Sequence, residues 1–272
     1  MNLSIVRGVT DALTSVLFPA PCHICGAVLM RAGMLPICEA CFESFKPLRG
    51  PLCTCCGRPF VSEATLDAKV PKCFACRREV YAFEYARSFG AYTDQMVRAI
   101  SLLKYEKLTR LGQWFAERLH QAIQADPVLR PVDVIVPVPL HPSRLHERGY
   151  NQAELIAKPL ARKLRLPLGP YLLVRTRPRP PRLLLSRRER WLTVRGAYEM
   201  RKGARVDNLR VLLIDDVFTT GATLDACARV LKKAGAKSVI GLTVARAISQ
   251  AGPDAARLTT LRAQPASKGE NG

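Results

Sequence analysis

The sequence predicts an α/β protein in which helices flank a mostly parallel sheet, with a small cysteine-rich module at the N-terminus. Nine of the ten cysteines lie between Cys22 and Cys76, in a segment rich in proline and glycine with little periodic structure. Residues 90–247 instead alternate short apolar runs, typical of strands, with apolar positions three and four residues apart, typical of helices. The predicted divisions are the module over residues 1–80, the α/β domain over 85–248 and a disordered tail over 249–272.

Residues 3–17 place apolar side chains on one face of a predicted helix. We expect this helix to pack on the cysteine-rich module, because it lacks the basic polar face that would favour the alternative, a membrane surface. The sequence holds neither the run of about 18 apolar residues that a membrane-spanning helix needs nor a cleavable leader. The expected location is therefore the cytoplasm, with no transmembrane segment.

The α/β domain is predicted to open with two amphipathic helices and then to alternate strands with helices. In order, we predict helices over Thr93–Tyr105 and Leu108–Ile123, a strand over Val132–Val138, a helix over Asn151–Leu164, a brief strand over Leu172–Val174, a strand over Val211–Asp216, a helix over Thr220–Ala234 closed by Gly235, and a strand over Ser238–Ala245. Because this alternation favours a parallel sheet, a ligand is expected at the carboxyl ends of the strands.

The chain is large and apolar enough to bury a core, with 272 residues of which 48% are hydrophobic, and this excludes a disordered or fibrous protein. Its formal net charge of +20 would fall by about 2 for each zinc ion held by four thiolates, to about +16 for two ions. An excess this large indicates a polyanionic partner, either nucleic acid or a phosphorylated substrate.

Eight of the cysteines form four Cys-x-x-Cys pairs, each of which offers two thiolates and so supplies half of the ligands of a tetrahedral zinc site. In a chain without a secretion signal such pairs indicate metal rather than disulfides. We expect two structural Zn²⁺ sites, because ligation by four thiolates leaves no open position for catalysis. Sequential and cross-braced pairings both remain open, and Cys55 could compete with Cys56 as a ligand. The predicted ligands are Cys22, Cys25, Cys38, Cys41, Cys53, Cys56, Cys73 and Cys76.

The predicted strand Val211–Asp216 ends in two carboxylates and continues into a Thr-Thr-Gly-Ala-Thr turn before a helix. Such a turn cradles one phosphate, because backbone N–H groups at the helix start point at the anion and the threonine hydroxyls can donate to it. Asp215 and Asp216 would repel that phosphate unless they contact ribose hydroxyls and Mg²⁺. The sequence therefore predicts a site for a ribose 5-phosphate. The predicted turn residues are Thr219, Thr220, Gly221, Ala222 and Thr223.

This segment resembles the phosphoribosyl pyrophosphate (PRPP) motif of type I phosphoribosyltransferases. The resemblance implies that the two acids hold the ribose 2′- and 3′-hydroxyls while the turn holds the 5′-phosphate. Further segments resemble signatures of the ComF family, and the likeness covers nearly the whole chain, cysteine module included. It implies a type I phosphoribosyltransferase-like fold behind a double zinc ribbon, with PRPP and Mg²⁺ as ligands and an association with DNA uptake in natural competence. These segments are Ile100–Tyr105, Val136–Pro142, Arg148–Glu154, Arg175–Arg177, Ser186–Arg187 and Val194–Tyr198.

The loop Pro139–Gly149 lies where these enzymes carry a pyrophosphate loop. Arg144 and Arg148 are the candidates for binding pyrophosphate, because a guanidinium presents a planar fork to phosphate oxygens. A solvated basic loop is the alternative. Lys104 is a further candidate catalytic residue, with simple exposure on a helix face as the alternative.

Seven arginines lie between residues 175 and 190, in a position that matches the family's catalytic lid. As a mobile loop, this segment would exclude water while pyrophosphate leaves, and Arg175 and Arg177 would neutralise the departing charge. The same arginines could instead follow a single-stranded nucleic acid, with Trp191 and Tyr198 stacking on its bases. The sequence leaves both interpretations open.

Two functions therefore remain. The first is a phosphoribosyltransferase with an unknown acceptor; the second is a non-catalytic factor that binds single-stranded DNA, works with the DNA-uptake machinery and uses PRPP as a regulator or not at all. The chain departs from the family at Arg182 and Thr193, where many members carry Gln and Asn. Thr219 stands where purine-salvage enzymes carry an acid that acts as base, which disfavours purine salvage.

Overall fold

The computed structural model describes residues 20–29, 35–60, 71–78, 81–129, 131–178 and 187–248. The predicted helix within residues 3–17, the predicted tail and the centre of the arginine segment at 179–186 lie outside these residues. Within the described part of the chain, no helix is long and apolar enough to cross a membrane.

The elements follow one another as predicted, with several additions. The helices are α1 (Glu39–Ser44), α2 (Phe74–Arg78), α3 (Asp94–Tyr105), α4 (Leu111–Ala125), α5 (Pro142–Arg148), α6 (Gln152–Leu164), α7 (Arg187–Val194) and α8 (Ala222–Lys233). The strands are β1 (Tyr85–Ala91), β2 (Val134–Pro137), β3 (Leu173–Arg175), β4 (Tyr198–Met200), β5 (Arg210–Phe218) and β6 (Ser238–Arg246).

Four strands form a parallel sheet in the order β1-β6-β5-β2. In the central pair, Leu212 lies opposite Ile240 and Ile214 opposite Leu242. Parallel neighbours need a crossover connection, which α8 supplies between β5 and β6. The sheet is parallel, as the alternation of strands and helices predicts, and all four strands end at one edge.

Four features of the fold differ from the sequence prediction. β1 was not predicted, because Arg87 and Ser88 interrupt its apolar run; Ser88 is nevertheless buried, with its hydroxyl 2.7 Å from that of Thr243 on β6. The brief strand predicted over Leu172–Val174 is β3, which pairs with β4 in an antiparallel hairpin outside the main sheet. The loop Pro139–Gly149 contains α5, and β5 continues past both acids to Phe218.

α5 has local signals for its start and end. The side chain of His141 accepts a hydrogen bond from the backbone N–H of Ser143, and Pro142 occupies the first turn of the helix. Gly149 ends the helix with φ +83°, in the left-handed region that favours glycine. These two ends hold a helical turn in what the sequence suggests is an open loop.

Helices and zinc-ribbon segments cover both faces of the sheet. On one face α3, α4 and α6 pack against Leu212 and Ile240, together with the first cysteine cluster and Phe45. On the other face α8 packs against Leu213 and Val239, together with the second cysteine cluster. Each half of the cysteine-rich module is therefore part of a different hydrophobic core.

Candidate functional site

The predicted phosphate-binding turn joins β5 to α8 at the carboxyl edge of the sheet. Gly221 precedes the helix with φ +85°, and a Cβ placed there would lie 2.7 Å from the Phe218 ring and 2.9 Å from the Tyr81 ring. Only glycine fits both the backbone conformation and the space. The backbone at this turn can therefore approach an anion closely, which is what a phosphate cradle requires.

The threonines of the turn differ in their exposure. Thr219 is exposed and Thr223 is half-buried, whereas Thr220 is buried, with its hydroxyl 3.4 Å from the backbone nitrogen of Ala222. The carbonyl of Thr220 accepts a hydrogen bond from the Tyr81 hydroxyl at 3.0 Å. Thr219 and Thr223 are thus the accessible hydroxyls, and Thr220 shapes the turn.

The two acids on β5 lie beside this turn in different environments. Asp216 is only 5% exposed; its Oδ1 accepts a hydrogen bond from Lys104 Nζ at 2.8 Å, while its Oδ2 is buried without a partner among the described residues. Asp215 is half-buried, and its Oδ1 accepts the backbone N–H of Asp216 at 2.8 Å. A buried carboxylate oxygen without a partner is costly, and a ligand hydroxyl or a water bound to Mg²⁺ would satisfy it.

A basic cleft adjoins the acids, between the end of α3 and α5. Four of its side chains are cationic and one is acidic, and two tyrosines complete it. The lining residues are Lys104, Tyr105, Lys107, Arg144, Glu147, Arg148 and Tyr150. Because Lys104 lines the cleft and also contacts Asp216, the cleft and the acids form one continuous site.

Arg148 is a half-buried cation of the cleft. Burial lowers the pKa of its guanidinium, which still stays protonated at neutral pH, and its cationic centre lies 5.2 Å from the centroid of the Tyr105 ring. The side chain also donates to Gln152. Arg144 is more open and lies 3.4 Å from Glu147, an exposed pair that contributes little. A partly desolvated guanidinium of this kind favours a bound anion.

Sequence reasoning identified Arg144, Arg148 and Lys104 but missed Tyr105, Lys107 and Tyr150. Lys107 adopts φ +57°, which is uncommon for a residue with a side chain. The Tyr150 hydroxyl donates to the carbonyl of Leu103, and burial raises the pKa of this tyrosine, so it stays a donor. A signal for these residues was present in the sequence, because they flank or follow the candidates Lys104 and Arg148 directly along the chain.

Arg175 and Arg177 lie apart from the cleft residues, on and just after β3. The Arg175 guanidinium donates to the Tyr198 hydroxyl at 3.0 Å and to the Arg177 carbonyl at 3.0 Å. Tyr198 is 3% exposed, so the prediction that it stacks on nucleic-acid bases is wrong. Trp191 is half-buried, with its ring centroid 5.8 Å from that of Tyr81.

The eight predicted ligand cysteines come together in two clusters, each with its four sulfur atoms within 4.8 Å of one another. The structure groups them in the sequential arrangement, without cross-bracing, and Cys55 belongs to neither cluster within the described residues. The first cluster contains Cys22, Cys25, Cys38 and Cys41; the second contains Cys53, Cys56, Cys73 and Cys76.

The sulfur positions fit tetrahedral zinc. Bonds of about 2.3 Å from zinc to sulfur place the sulfurs of a tetrahedral site about 3.8 Å apart. The sulfur–sulfur distances are 3.9 Å for Cys22–Cys41, 3.6 Å for Cys25–Cys38 and 3.7 Å for Cys56–Cys73. Backbone N–H groups support both clusters, since those of Cys38 and Cys73 each lie 3.3 Å from a sulfur of their own cluster.

Two different domain families match separate parts of the chain. Residues 13–77 match the double zinc ribbon domain, and residues 151–267 match the phosphoribosyl transferase domain. Competence protein F of Haemophilus influenzae is 26% identical, covering 78% of this chain and 90% of its own length. Competence protein ComFC of Bacillus subtilis is 28% identical, with coverages of 77% and 84%. DNA utilization protein YhgH of Salmonella typhimurium is 28% identical, with coverages of 81% and 94%.

Among solved structures, the adenine phosphoribosyltransferase from Thermoanaerobacter pseudethanolicus is 19% identical, with a TM-score of 0.31. It covers 53% of this chain and 72% of its own, and a likeness at this level supports no argument about function. The two matched domains and the parallel sheet confirm the predicted fold class, a type I phosphoribosyltransferase-like sheet with an N-terminal zinc-ribbon module. The double zinc ribbon match and the two cysteine clusters together support bound zinc.

Replacing Gly221 by alanine tests the close packing of the turn. We expect Gly221→Ala to lower the free energy of unfolding by about 2–4 kcal/mol, because the new methyl group would meet both aromatic rings in addition to the cost of the left-handed backbone. Gly203→Ala is the matched control, since Gly203 has φ +81° and open space around its Cβ position. Urea denaturation of both variants measures the difference; equal losses would contradict the packing argument.

Proposed function

Starting from the fact that this chain belongs to the ComF family, we propose that it binds PRPP with Mg²⁺ at the carboxyl edge of the sheet and transfers the phosphoribosyl group. One observation carries the proposal: the ion pair of Lys104 with Asp216 joins the basic cleft to the acids beside the phosphate-binding turn. Three neighbouring parts of one site thereby match the three parts of PRPP, which are a 5′-phosphate, a ribose and a pyrophosphate.

Each part of the site suits one part of the ligand. The turn at Gly221 offers backbone N–H groups and the hydroxyls of Thr219 and Thr223 to the 5′-phosphate. Asp215 and Asp216 accept hydrogen bonds from the ribose hydroxyls. The Oδ2 of Asp216 is buried and has no hydrogen-bond partner among the residues described, which supports this assignment because a ribose hydroxyl would satisfy it.

The basic cleft suits the pyrophosphate group. Arg144 and Arg148 present planar donors, and Lys107 adds a third positive charge next to them. Asp215 and Asp216 would hold Mg²⁺ together with the ligand, and the ion would supply further positive charge. These cations stabilise the negative charge that develops as the bond from ribose C1 to pyrophosphate breaks.

Lys104 is placed to serve both halves of the site. Its ammonium lies 2.8 Å from the buried Asp216 and neutralises it, which lowers the cost of burying that carboxylate. When ribose hydroxyls contact the acid, the same ammonium can turn into the cleft that it already lines and donate to the pyrophosphate. Lys104 would then have an anionic partner both before and after the ligand binds, so its charge would not need water to stabilise it.

We extend the proposal to DNA uptake on the strength of the relatives' names, competence proteins and DNA utilization proteins. We also propose the cytoplasmic location that the sequence predicts. The alternative function is single-stranded DNA binding without catalysis, which the net charge of +20 favours. With Tyr198 buried, this alternative would depend on exposed arginines such as Arg177 and Arg188.

Removing one charge at the ribose subsite tests the proposal. We expect Asp216→Asn to weaken PRPP binding in the presence of Mg²⁺ by about tenfold or more, because hydrogen bonds to a charged group contribute about 1.5–3 kcal/mol. Asp133→Asn is the matched control: Asp133 pairs with Arg210 at the opposite edge of the sheet, and its loss leaves the site intact. Titration calorimetry measures both affinities. Equal PRPP affinity in Asp216→Asn and the wild type would refute the ribose assignment.

The pyrophosphate subsite is tested with two ligands. Arg148→Gln is expected to weaken PRPP binding at least tenfold and to leave ribose 5-phosphate binding within twofold, because only PRPP carries the pyrophosphate. Arg162→Gln, an exposed arginine of α6, serves as the control. Equal weakening of both ligands by Arg148→Gln would place this arginine elsewhere in the site.

Pyrophosphate release distinguishes the transferase from the binding factor. We expect PRPP with Mg²⁺ to release pyrophosphate faster in the presence of a true acceptor, with single-stranded DNA and free nucleobases as the first compounds to test. An enzyme-coupled pyrophosphate assay gives the rate, and Asp216→Asn supplies the background. Salt-sensitive DNA binding without stimulated release from any compound would favour the non-catalytic alternative.

A further inference from the structure

Arg246, the last residue of β6, is buried against the second cysteine cluster. It is 5% exposed, its Nη1 donates to the carbonyl of Cys56 at 2.6 Å and its Nη2 lies 3.1 Å from the sulfur of the same cysteine. Within the described residues, its Nε is buried without a hydrogen-bond partner and no carboxylate forms an ion pair with the side chain. A buried guanidinium of this kind needs a counter-anion.

The second cysteine cluster supplies that anion once it holds zinc. Zinc with four thiolates carries a net charge of about −2, and Arg246 donates directly to one of the four sulfurs. Hydrogen bonds from outer residues to metal ligands orient the ligands and strengthen metal binding. Arg246 therefore has the position and the charge of an outer partner of this zinc site.

The same guanidinium also lies against the ring of Phe218, the residue that precedes the phosphate-binding turn. Its central carbon is 4.3 Å from the centroid of the Phe218 ring, and Phe218 lies opposite Arg246 in the sheet register. Phe218 is 2% exposed, and its ring lies 2.7 Å from where a Cβ of Gly221 would be. A continuous set of buried contacts thus runs from Cys56 through Arg246 and Phe218 to Gly221.

We propose that Arg246 is a positioning residue for the phosphate-binding turn, held in place by the second zinc-thiolate centre. With zinc bound, the guanidinium stays paired with Cys56 and supports the Phe218 ring, which in turn fixes the backbone at Gly221. Without zinc the guanidinium loses its counter-anion and the support of the ring weakens. Zinc in this ribbon and the phosphate ligand consequently bind with positive coupling, and each strengthens the other by the same factor. The identity of that ligand rests on the proposed function.

Among the described residues, no buried arginine contacts a sulfur of the first cysteine cluster. Cys25 is exposed, and the nearby cation Arg98 donates at 2.8 Å to the carbonyl of His23 rather than to a sulfur. Arg98 is itself 42% exposed and pairs with Glu106. Zinc in the first ribbon is therefore expected to leave the phosphate-binding turn unchanged, which provides an internal control.

The zinc half of the proposal is tested by the rate of zinc loss from the full-length zinc-loaded protein. A chromogenic chelator that does not bind Mg²⁺ reports zinc release in the Cys25→Ser background, where the first cluster lacks a ligand. We expect Arg246→Met to speed release from the second site by about tenfold or more, since removing outer partners commonly weakens metal binding about 10–100-fold. Arg98→Met is expected to have no effect, and Arg246→Lys, which keeps the charge, to release zinc at an intermediate rate.

The coupling half is tested by adding PRPP with Mg²⁺ to the same samples. Release from the second site should slow severalfold in the chain that retains Arg246, and the slowing should be lost in Arg246→Met. Phe218→Leu keeps the arginine beside Cys56 but removes the ring, so we expect normal zinc retention without ligand and no slowing with it. This variant keeps the test decisive if Arg246→Met folds poorly.

The outcomes separate this proposal from the proposed function. Zinc release from Arg246→Met at the rate of its Cys25→Ser parent would overturn the role of Arg246 as a partner of the zinc site. Faster release combined with PRPP binding that never slows zinc loss would overturn the coupling. If calorimetry detects no PRPP binding, the proposed function fails. The zinc-release rates measured without ligand still test whether Arg246 stabilises zinc in the second site.

Discussion

The site depends on one nearly buried carboxylate, Asp216, held at the carboxyl edge of a parallel sheet. Lys104 neutralises it from α3, and its second oxygen is buried with no hydrogen-bond partner in the part of the chain that the structure describes. Burying this charge requires β5 to lie inside the sheet, flanked by β6 and β2, and requires α3 to end beside it. The order of the strands and the packing of α3 therefore act together to keep one acid buried, paired and close to the turn proposed to bind phosphate.

The zinc ribbons extend this arrangement beyond the sheet. The first cluster packs in the core that contains α3 and α4, whereas the second packs in the core that contains α8 and the turn. The module is thus integrated into the α/β domain, because each half packs against a different face of the sheet. Arg246 makes the second contact electrostatic as well as apolar, since its charge lies between Cys56 and the Phe218 ring.

Sequence alone predicted the parts of the site that are encoded locally. The strand, turn and helix from Arg210 to Lys233 follow one another directly, so their residues lie within a residue or two of the predicted bounds. β1 escaped prediction because its polar residues are satisfied across the sheet, as with the hydroxyls of Ser88 and Thr243. The cleft was found only in part, since Lys107 and Tyr150 meet only through the packing of α3 beside α5. Tyr198 was misjudged because its burial depends on the hairpin.

Hydrogen exchange of the backbone amides, with three ligands compared, tests most directly whether the turn and the cleft are two halves of one PRPP site. With Mg²⁺ present, ribose 5-phosphate should protect residues 219–223, pyrophosphate should protect residues 144–150, and PRPP should protect both segments at once. Exchange reports such local protection segment by segment. Protection of neither segment by PRPP, or of only one, would contradict the account of a single continuous site built around Asp216.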